Sequence, residues 1–316
     1  MNANGLYGGV EGYVIPGTNS GVGTGVANGV FTSDLGDYRL QFLSQYLNVL
    51  PDNGWSVRRL NEKYKGPIMT VSTLQVGDNA NAEYTLYTDK EDINLYELSV
   101  ANGGNLYVKT LFDQFGGNNM IVPSTVNKPQ IVQDGVVNLI NGKLHLIWGP
   151  SLCYFQSTSI TENSEYIRYF VGTRPSTGIT THMVAVYTGA SASNNFRQQS
   201  SRFQSDNNIN FREVATGNLR TYALGSTAIG NLIVGYVNRI SGRQIILNNQ
   251  SLTPTLDGFV DTLMVGGINS IGGLANGVMS QGSQMAEVLL FRNNLNDIDT
   301  LGYSRQINRY YNYFNL

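Results

Sequence analysis

Four carboxylates in this sequence are candidates for acid–base or nucleophilic chemistry: Asp113, Asp134, Glu213 and Glu287. A retaining glycosidase sets two carboxyl groups about 5 to 5.5 Å apart, one as nucleophile and one as acid/base. None of the four forms such a pair along one strand. Glu287, in "MAEVLLF", has no second acid at i+2, the spacing that would put two carboxylates on one face. The other chemical groups are sparse. His145 and His182, the only histidines, lie in the apolar runs "KLHLIWG" and "THMVAVYTG", where a packed or edge histidine is commoner than a catalytic base. No serine triad or zinc-ligand spacing is recognisable. The Gly-rich "GTNSGVGTGVANG" neither follows a strand nor opens a helix, so it is not a phosphate loop. Calcium is the one metal left open, with Asp113, Asp134 and Asp78 as candidate ligands.

Asp113 carries the sharpest alternatives. In "TLFDQFGGNNM" it ends an apolar run and opens a turn through Gly117 and Asn118. A carboxylate there can accept backbone N–H bonds two or three residues on. We therefore read it first as a turn-locking residue, second as a calcium ligand and third as a catalytic acid.

The elements that must position these groups are mainly β. From Trp55 onward, short runs such as "PIMTVST", "NLYVKTLF", "PQIVQDGVV", "YIRYFVGT", "HMVAVYTG", "TLMVGG" and "MAEVLLF" alternate with Gly, Asn and Pro. That texture predicts an antiparallel sandwich or barrel rather than βαβ units. "NLIVGYVNRISGRQIILNNQ" predicts a hairpin turning at Ile240, Ser241 and Gly242. One N-terminal helix is expected in "SDLGDYRLQFLSQYLNVLPDNG", with Ser33 as cap and Pro51 as stop, and a C-terminal helix in "NDIDTLGYSRQINRYYNYF". Residues 1–54 are expected to form a Gly-rich arm and helix used in assembly, and residues 55–316 the sandwich domain.

Composition narrows the partners. The chain of 316 residues is 41% hydrophobic but only 13% charged, about half the usual share. A formal net charge of -2 and no Lys/Arg cluster leave no basic face for phosphates, so nucleic acid is not an expected partner. Cys153, the only cysteine, excludes an internal disulfide. The N-terminus has no basic, then apolar, leader pattern, and no apolar run approaches the length of a membrane span. Synthesis in the cytoplasm without membrane insertion is the resulting expectation.

Four blocks in order resemble the arabinofuranosidase-B-like family: "SVRRLNEKYKGPIMTV", "YVKTLFDQFGGNN", "KPQIVQDGVV" and "NGKLHLIWG", together spanning about residues 56 to 149. The second half resembles the wider laminin-G-like and concanavalin A-like group, in "VGYVNRISGRQIILNN" and in "QMAEVLLFRNNLNDIDTLGYSRQINRYYN". The resemblance implies a two-sheet antiparallel jelly-roll sandwich, as found in glycan-degrading enzymes, lectins and virion proteins. The family's enzymes carry adjacent cysteines near the catalytic pocket, which a chain with Cys153 alone lacks.

With no carboxylate pair in view, the sequence reading favours a non-enzymatic virion component of a bacteriophage, such as a tail fibre or capsid decoration. It would be a homo-oligomer joined to other virion subunits through the arm, and a lectin-like face would adhere to host-surface glycans. The alternative is an arabinofuranosidase-like glycoside hydrolase acting on arabinose-containing glycans. Candidate glycan-stacking aromatics are Trp55, Trp148, Tyr187, Phe196 and Phe203. The polar segment at residues 190–211 is read as an exposed loop or paired edge strands.

Overall fold

The structure, a computed structural model, describes residues 43, 48–87, 95, 98–100, 103–149, 153–157, 160–162, 165–174, 181–188, 197–203, 208–215, 218–225, 230–239, 242–252, 264–274, 277–278 and 283–315. The N-terminal arm and nearly all of the expected first helix lie outside these residues. So do Phe196 and the tip of the predicted hairpin at Ile240 and Ser241.

The described chain is mainly β. Its first part carries β1 (Asn53–Ser56), β2 (Met69–Ser72), β3 (Glu83–Leu86), β4 (Leu106–Leu111), β5 (Met120–Ile121), β6 (Gln130–Gln133), β7 (Val136–Val137), β8 (Leu139–Ile140), β9 (Lys143–Leu144) and β10 (Leu146–Ile147). The middle holds β11 (Phe155–Gln156), β12 (Ile160–Glu162), β13 (Tyr166–Arg174) and β14 (Thr181–Thr188), then β15 (Arg197–Phe203), β16 (Asn208–Ala215) and β17 (Asn218–Gly225). The last part holds β18 (Gly230–Arg239), β19 (Gly242–Leu247), β20 (Gln250–Leu252), β21 (Met264–Ile271), β22 (Gly273–Leu274), β23 (Gly277–Val278), β24 (Gln284–Phe291) and helix α1 (Thr300–Tyr311).

Twenty of the strands pair antiparallel into one large, branched sheet, while β8 with β9 and β22 with β23 form separate two-stranded hairpins. Strand β4 is the branch point. One of its edges meets β2, while the other meets β5 at Thr110 and Leu111 and β6 at Leu106 and Tyr107. From β5 one branch runs through β11, β21, β14, β15 and β16 to β17. From β6 the other runs through β10, β24, β13, β18 and β19 to β20. Phe155, Met183 and Ile271 of the first branch share one hydrophobic core with Leu146, Val171 and Val234 of the second. This arrangement is compatible with a β-sandwich.

Strand β13 shows how the core is sealed. All nine of its residues are buried, Arg168, Thr173 and Arg174 among them, because it lies between β18 and β24 and is covered on both faces. Gly172 is required there: an added Cβ would lie 2.1 Å from the Gln284 carbonyl oxygen at the register shift against β24. Helix α1 covers one face. Asp299 caps it by accepting from the Gly302 N–H at 2.9 Å, and Asn312 ends it in a left-handed conformation, φ 51°. The Tyr303 ring packs edge-on to Phe291 at 5.0 Å and stacks on Tyr169 at 6.1 Å.

The predicted hairpin forms as β18 against β19, with Arg239 opposite Gly242. The polar segment read as a loop or paired strands provides two paired strands, β15 and β16. Leu95 and residues 98–100 are helical, which the sequence reading did not anticipate.

Candidate active-site carboxylates

Glu287 lies in the interior of β24, opposite Ser56 and Val171, and is fully buried. Its Oε2 accepts from Arg58 Nε at 2.9 Å and from the Tyr311 hydroxyl at 3.0 Å, while Oε1 has no partner among the described residues. The Arg58 guanidinium lies 4.0 Å from the centre of the Tyr310 ring, and Lys143 Nζ lies 4.3 Å from that same ring, both cation–π contacts. Burial alone would lower the Arg58 pKa; the Glu287 carboxylate, followed by the two tyrosines, more than offsets this and raises it. Burial, then Glu287, raises the Tyr311 pKa well above its ordinary value. Tyr311 therefore stays protonated and donates to the carboxylate.

A second polar chain runs beside the first. His145, fully buried, has Nδ1 2.8 Å from the Lys143 carbonyl and Nε2 against the Tyr313 hydroxyl. A carbonyl only accepts, so Nδ1 carries the proton and Nε2 receives the Tyr313 hydroxyl. Burial pushes the His145 pKa down to about 4, against the opposing hydrogen bond to Lys143. The imidazole is neutral at pH 7 and acts as a structural bridge. Tyr313 is delivered to it by Asn308, whose Oδ1 accepts from the N–H groups of Tyr313 (2.8 Å) and Phe314 (3.1 Å) just beyond α1.

Asp113 has a different environment. Its Oδ1 accepts from the N–H groups of Gly54 at 2.9 Å and Phe115 at 3.1 Å, and its Oδ2 from the Asn118 N–H at 2.9 Å and from Asn53 Nδ2. Its own N–H donates to Asn119 Oδ1 at 3.1 Å, and Gly117 supplies φ 81° within the turn. Both oxygens are committed to closing this turn onto β1, which leaves no lone pair for a nucleophile or a metal.

The calcium set is not assembled. Asp78 pairs with Lys109 at 3.2 Å, Asp134 sits exposed in the β6–β7 turn with φ 51°, and Asp113 is saturated. Among the described residues no group of three or more His, Cys, Asp or Glu side chains is placed to hold a metal ion.

Two of the five glycan-stacking candidates are corrected. Trp55 and Trp148 are fully buried: the Trp55 indole N–H donates to the Asn118 carbonyl at 2.6 Å, and that of Trp148 to the Cys153 carbonyl at 3.1 Å. Their rings are core, with Trp148 edge-on to Phe155, so no sugar reaches them. Tyr187 is placed on β14 opposite Gln198 and Ile268, and Phe203 on β15 opposite Thr181 and Ile209. Phe196 lies outside the described residues. Glu213 is placed on β16, in register with Gln199 of β15 and Arg220 of β17.

The sequence reading missed the partners of Glu287, Arg58 and Tyr311, and the Tyr310 ring packed against Arg58 and Lys143. A usable signal was present. An arginine inside the apolar "WSVRRL" needs a buried partner, and the tyrosine-rich "RYYNYF" provides hydroxyls that need partners too.

No family model and no curated relative matches this sequence. Solved structures do match its fold. An arabinofuranosidase complexed with arabinofuranosyl-α-1,2-xylobiose superposes with a TM-score of 0.52 at 11% identity, over 86% of this chain and 64% of that one. A mutant GH54 α-L-arabinofuranosidase soaked with 4-nitrophenyl α-L-arabinofuranoside gives 0.50 at 11% identity, over 80% and 62%. The chain thus spans just under two thirds of the length of these enzymes, and at this identity the likeness shows the fold alone. It corrects the expectation of a non-enzymatic virion protein, because the neighbours that share the fold are glycoside hydrolases, and it favours the alternative reading.

Proposed function

We propose that this chain is a glycan-active sandwich of the arabinofuranosidase-like glycoside hydrolase type, acting on arabinose-containing glycans. In this reading the concanavalin A-like jelly-roll begins with β1 (Asn53–Ser56), whose pairing with β24 carries Asn53 and Gly54 into the sandwich and moves the expected boundary at Trp55 back, and the chain before it forms the arm and helix. The supporting observation is the fold shared over 86% of the chain with an arabinofuranosidase complexed with an arabinofuranosyl oligosaccharide. The ordered blocks at residues 56–149 point the same way.

Such chemistry needs a carboxyl pair, about 5 to 5.5 Å apart for retention or about 6.5 to 9.5 Å for inversion. Asp113 is excluded from it by its four donors. Glu287 is excluded by its burial beneath α1 and its ion pair with Arg58. Glu213 is the acid this reading assigns, since it stands in the polar β15–β17 meander with Arg220 in register. Release of arabinose from arabinoxylan by the purified chain, lost in Glu213→Gln, is the expected result; no release from the parent chain contradicts the proposal.

A further inference from the structure

Asn141 and Gly142 form the two-residue loop between β8 and β9, with Ile140 opposite Lys143 and φ values of 50° and 74°. Positive φ at both loop residues is the type I′ pattern of tight hairpins. This hairpin has two residues per strand and stands outside the large sheet, so its loop opens more readily than a strand of that sheet. Asn141 is exposed. Its Nδ2 donates to the Tyr311 carbonyl at 3.2 Å and to the Asn312 carbonyl at 2.8 Å. Carbonyls at a helix C-terminus lack intrahelical partners, and here one side-chain amide from the hairpin satisfies two of them.

Asparagine followed by glycine is the dipeptide most prone to lose its side-chain amide, because glycine places no side chain beside the attacking backbone nitrogen. Around Gly142 a Cβ would meet nothing within 4 Å. We propose that Asn141 is a spontaneous deamidation site and that its conversion releases the C-terminal end of α1. Solvent base removes the Gly142 amide proton, and the nitrogen attacks Cγ of Asn141. The bond from Cγ to the side-chain nitrogen breaks, ammonia leaves carrying a proton, and a five-membered imide remains. Water then opens the imide at either carbonyl to give aspartate or isoaspartate. The new carboxylate only accepts hydrogen bonds, so it faces two carbonyl oxygens where the amide donated to them. It also places an anion at the negative end of the helix dipole.

The chain contains its own control. Asn53 and Gly54 are the same dipeptide, but Asn53 is fully buried, and its amide is held between Asp113 and Arg292. The Gly54 N–H, the would-be nucleophile, donates to Asp113 Oδ1 at 2.9 Å. That site can react only after unfolding, whereas the β8–β9 loop needs only local opening.

The experiment is peptide mass mapping of the full chain during incubation in mildly alkaline buffer, paired with amide hydrogen exchange on Asn141→Asp. Conversion at Asn141 at least about tenfold faster than at Asn53 is expected, because a site that must unfold first is protected by the full opening free energy. Faster exchange across residues 308–314 in Asn141→Asp is expected too. Conversion at Asn141 no faster than at Asn53 overturns the site, and parental exchange in Asn141→Asp overturns the effect on the helix.

Discussion

Arg58 and Glu287 stand 229 residues apart in the chain and 2.9 Å apart in the fold, as a buried ion pair 8% and 0% exposed. The pair ties the segment after β1 to the interior of β24 and, through Tyr311, to the last turn of α1. Two charges in so dry a place hold only as long as both are present.

Arg58→Met leaves Glu287 buried with only Tyr311 beside it. A loss of about 3–5 kcal/mol is expected, as for a buried pair broken on one side. Adding Glu287→Leu to the same chain recovers most of it. Urea denaturation of the two variants measures both numbers, and a single-variant loss below about 1 kcal/mol would show the pair to be dispensable.

His145 makes stability depend on pH in a stated direction. Its pKa falls from 6.5 to about 4 on folding, through burial. Between those values the unfolded chain binds a proton that the folded chain refuses, so stability rises with pH across the window. The contribution is complete above about pH 6.5, is lost as pH falls to about 4, and amounts to about 3 kcal/mol. His145→Asn should flatten that slope between pH 4 and 6.5 relative to the parent chain. An unchanged slope would assign the dependence to other groups.

Gly272→Ala tests the packing around Trp148. An added Cβ would lie 2.3 Å from the indole nitrogen, at a backbone φ of +90° that side chains rarely adopt. The steric and backbone penalties together should exceed about 2 kcal/mol. A thermal melt within a degree or so of the parent would show that the indole moves aside readily.

Asp113→Ala removes the acceptor for three backbone N–H groups, those of Gly54, Phe115 and Asn118, and for the Asn53 amide. Leaving such donors buried without a partner should cost about 3 kcal/mol, with Asp113→Asn intermediate because it keeps one acceptor oxygen. Denaturant midpoints order the three chains. Equal midpoints would mean that water replaces the carboxylate without penalty.

What the sequence made legible was local. Short apolar runs revealed many of the strands, and "NDIDTLGYSRQINRYYNYF" revealed the final helix, Thr300–Tyr311. Glu287 was visible as a strand residue, but its partner Arg58 lies at a separation no local spacing encodes. Trp55 and Trp148 were misread because an aromatic ring suits a core and a sugar face equally well, and only the fold tells which. β15, "RQQSSRF", carries too many Gln, Ser and Arg residues for an apolar pattern to mark it as a strand, yet it pairs with β16 in a long, regular ladder. The virion reading rested on the lack of a recognisable carboxylate pair and on few charges, and neither identifies a reaction or a partner.

The proposed activity is tested most directly by incubating the purified full chain with 4-nitrophenyl α-L-arabinofuranoside and following nitrophenol release, with Glu213→Gln and Arg58→Met alongside. Turnover by the parent, abolished in Glu213→Gln at an unchanged melting temperature and retained in whatever fraction of Arg58→Met stays folded, is the predicted result. No turnover by the folded parent chain, or turnover that survives in Glu213→Gln, would contradict the account.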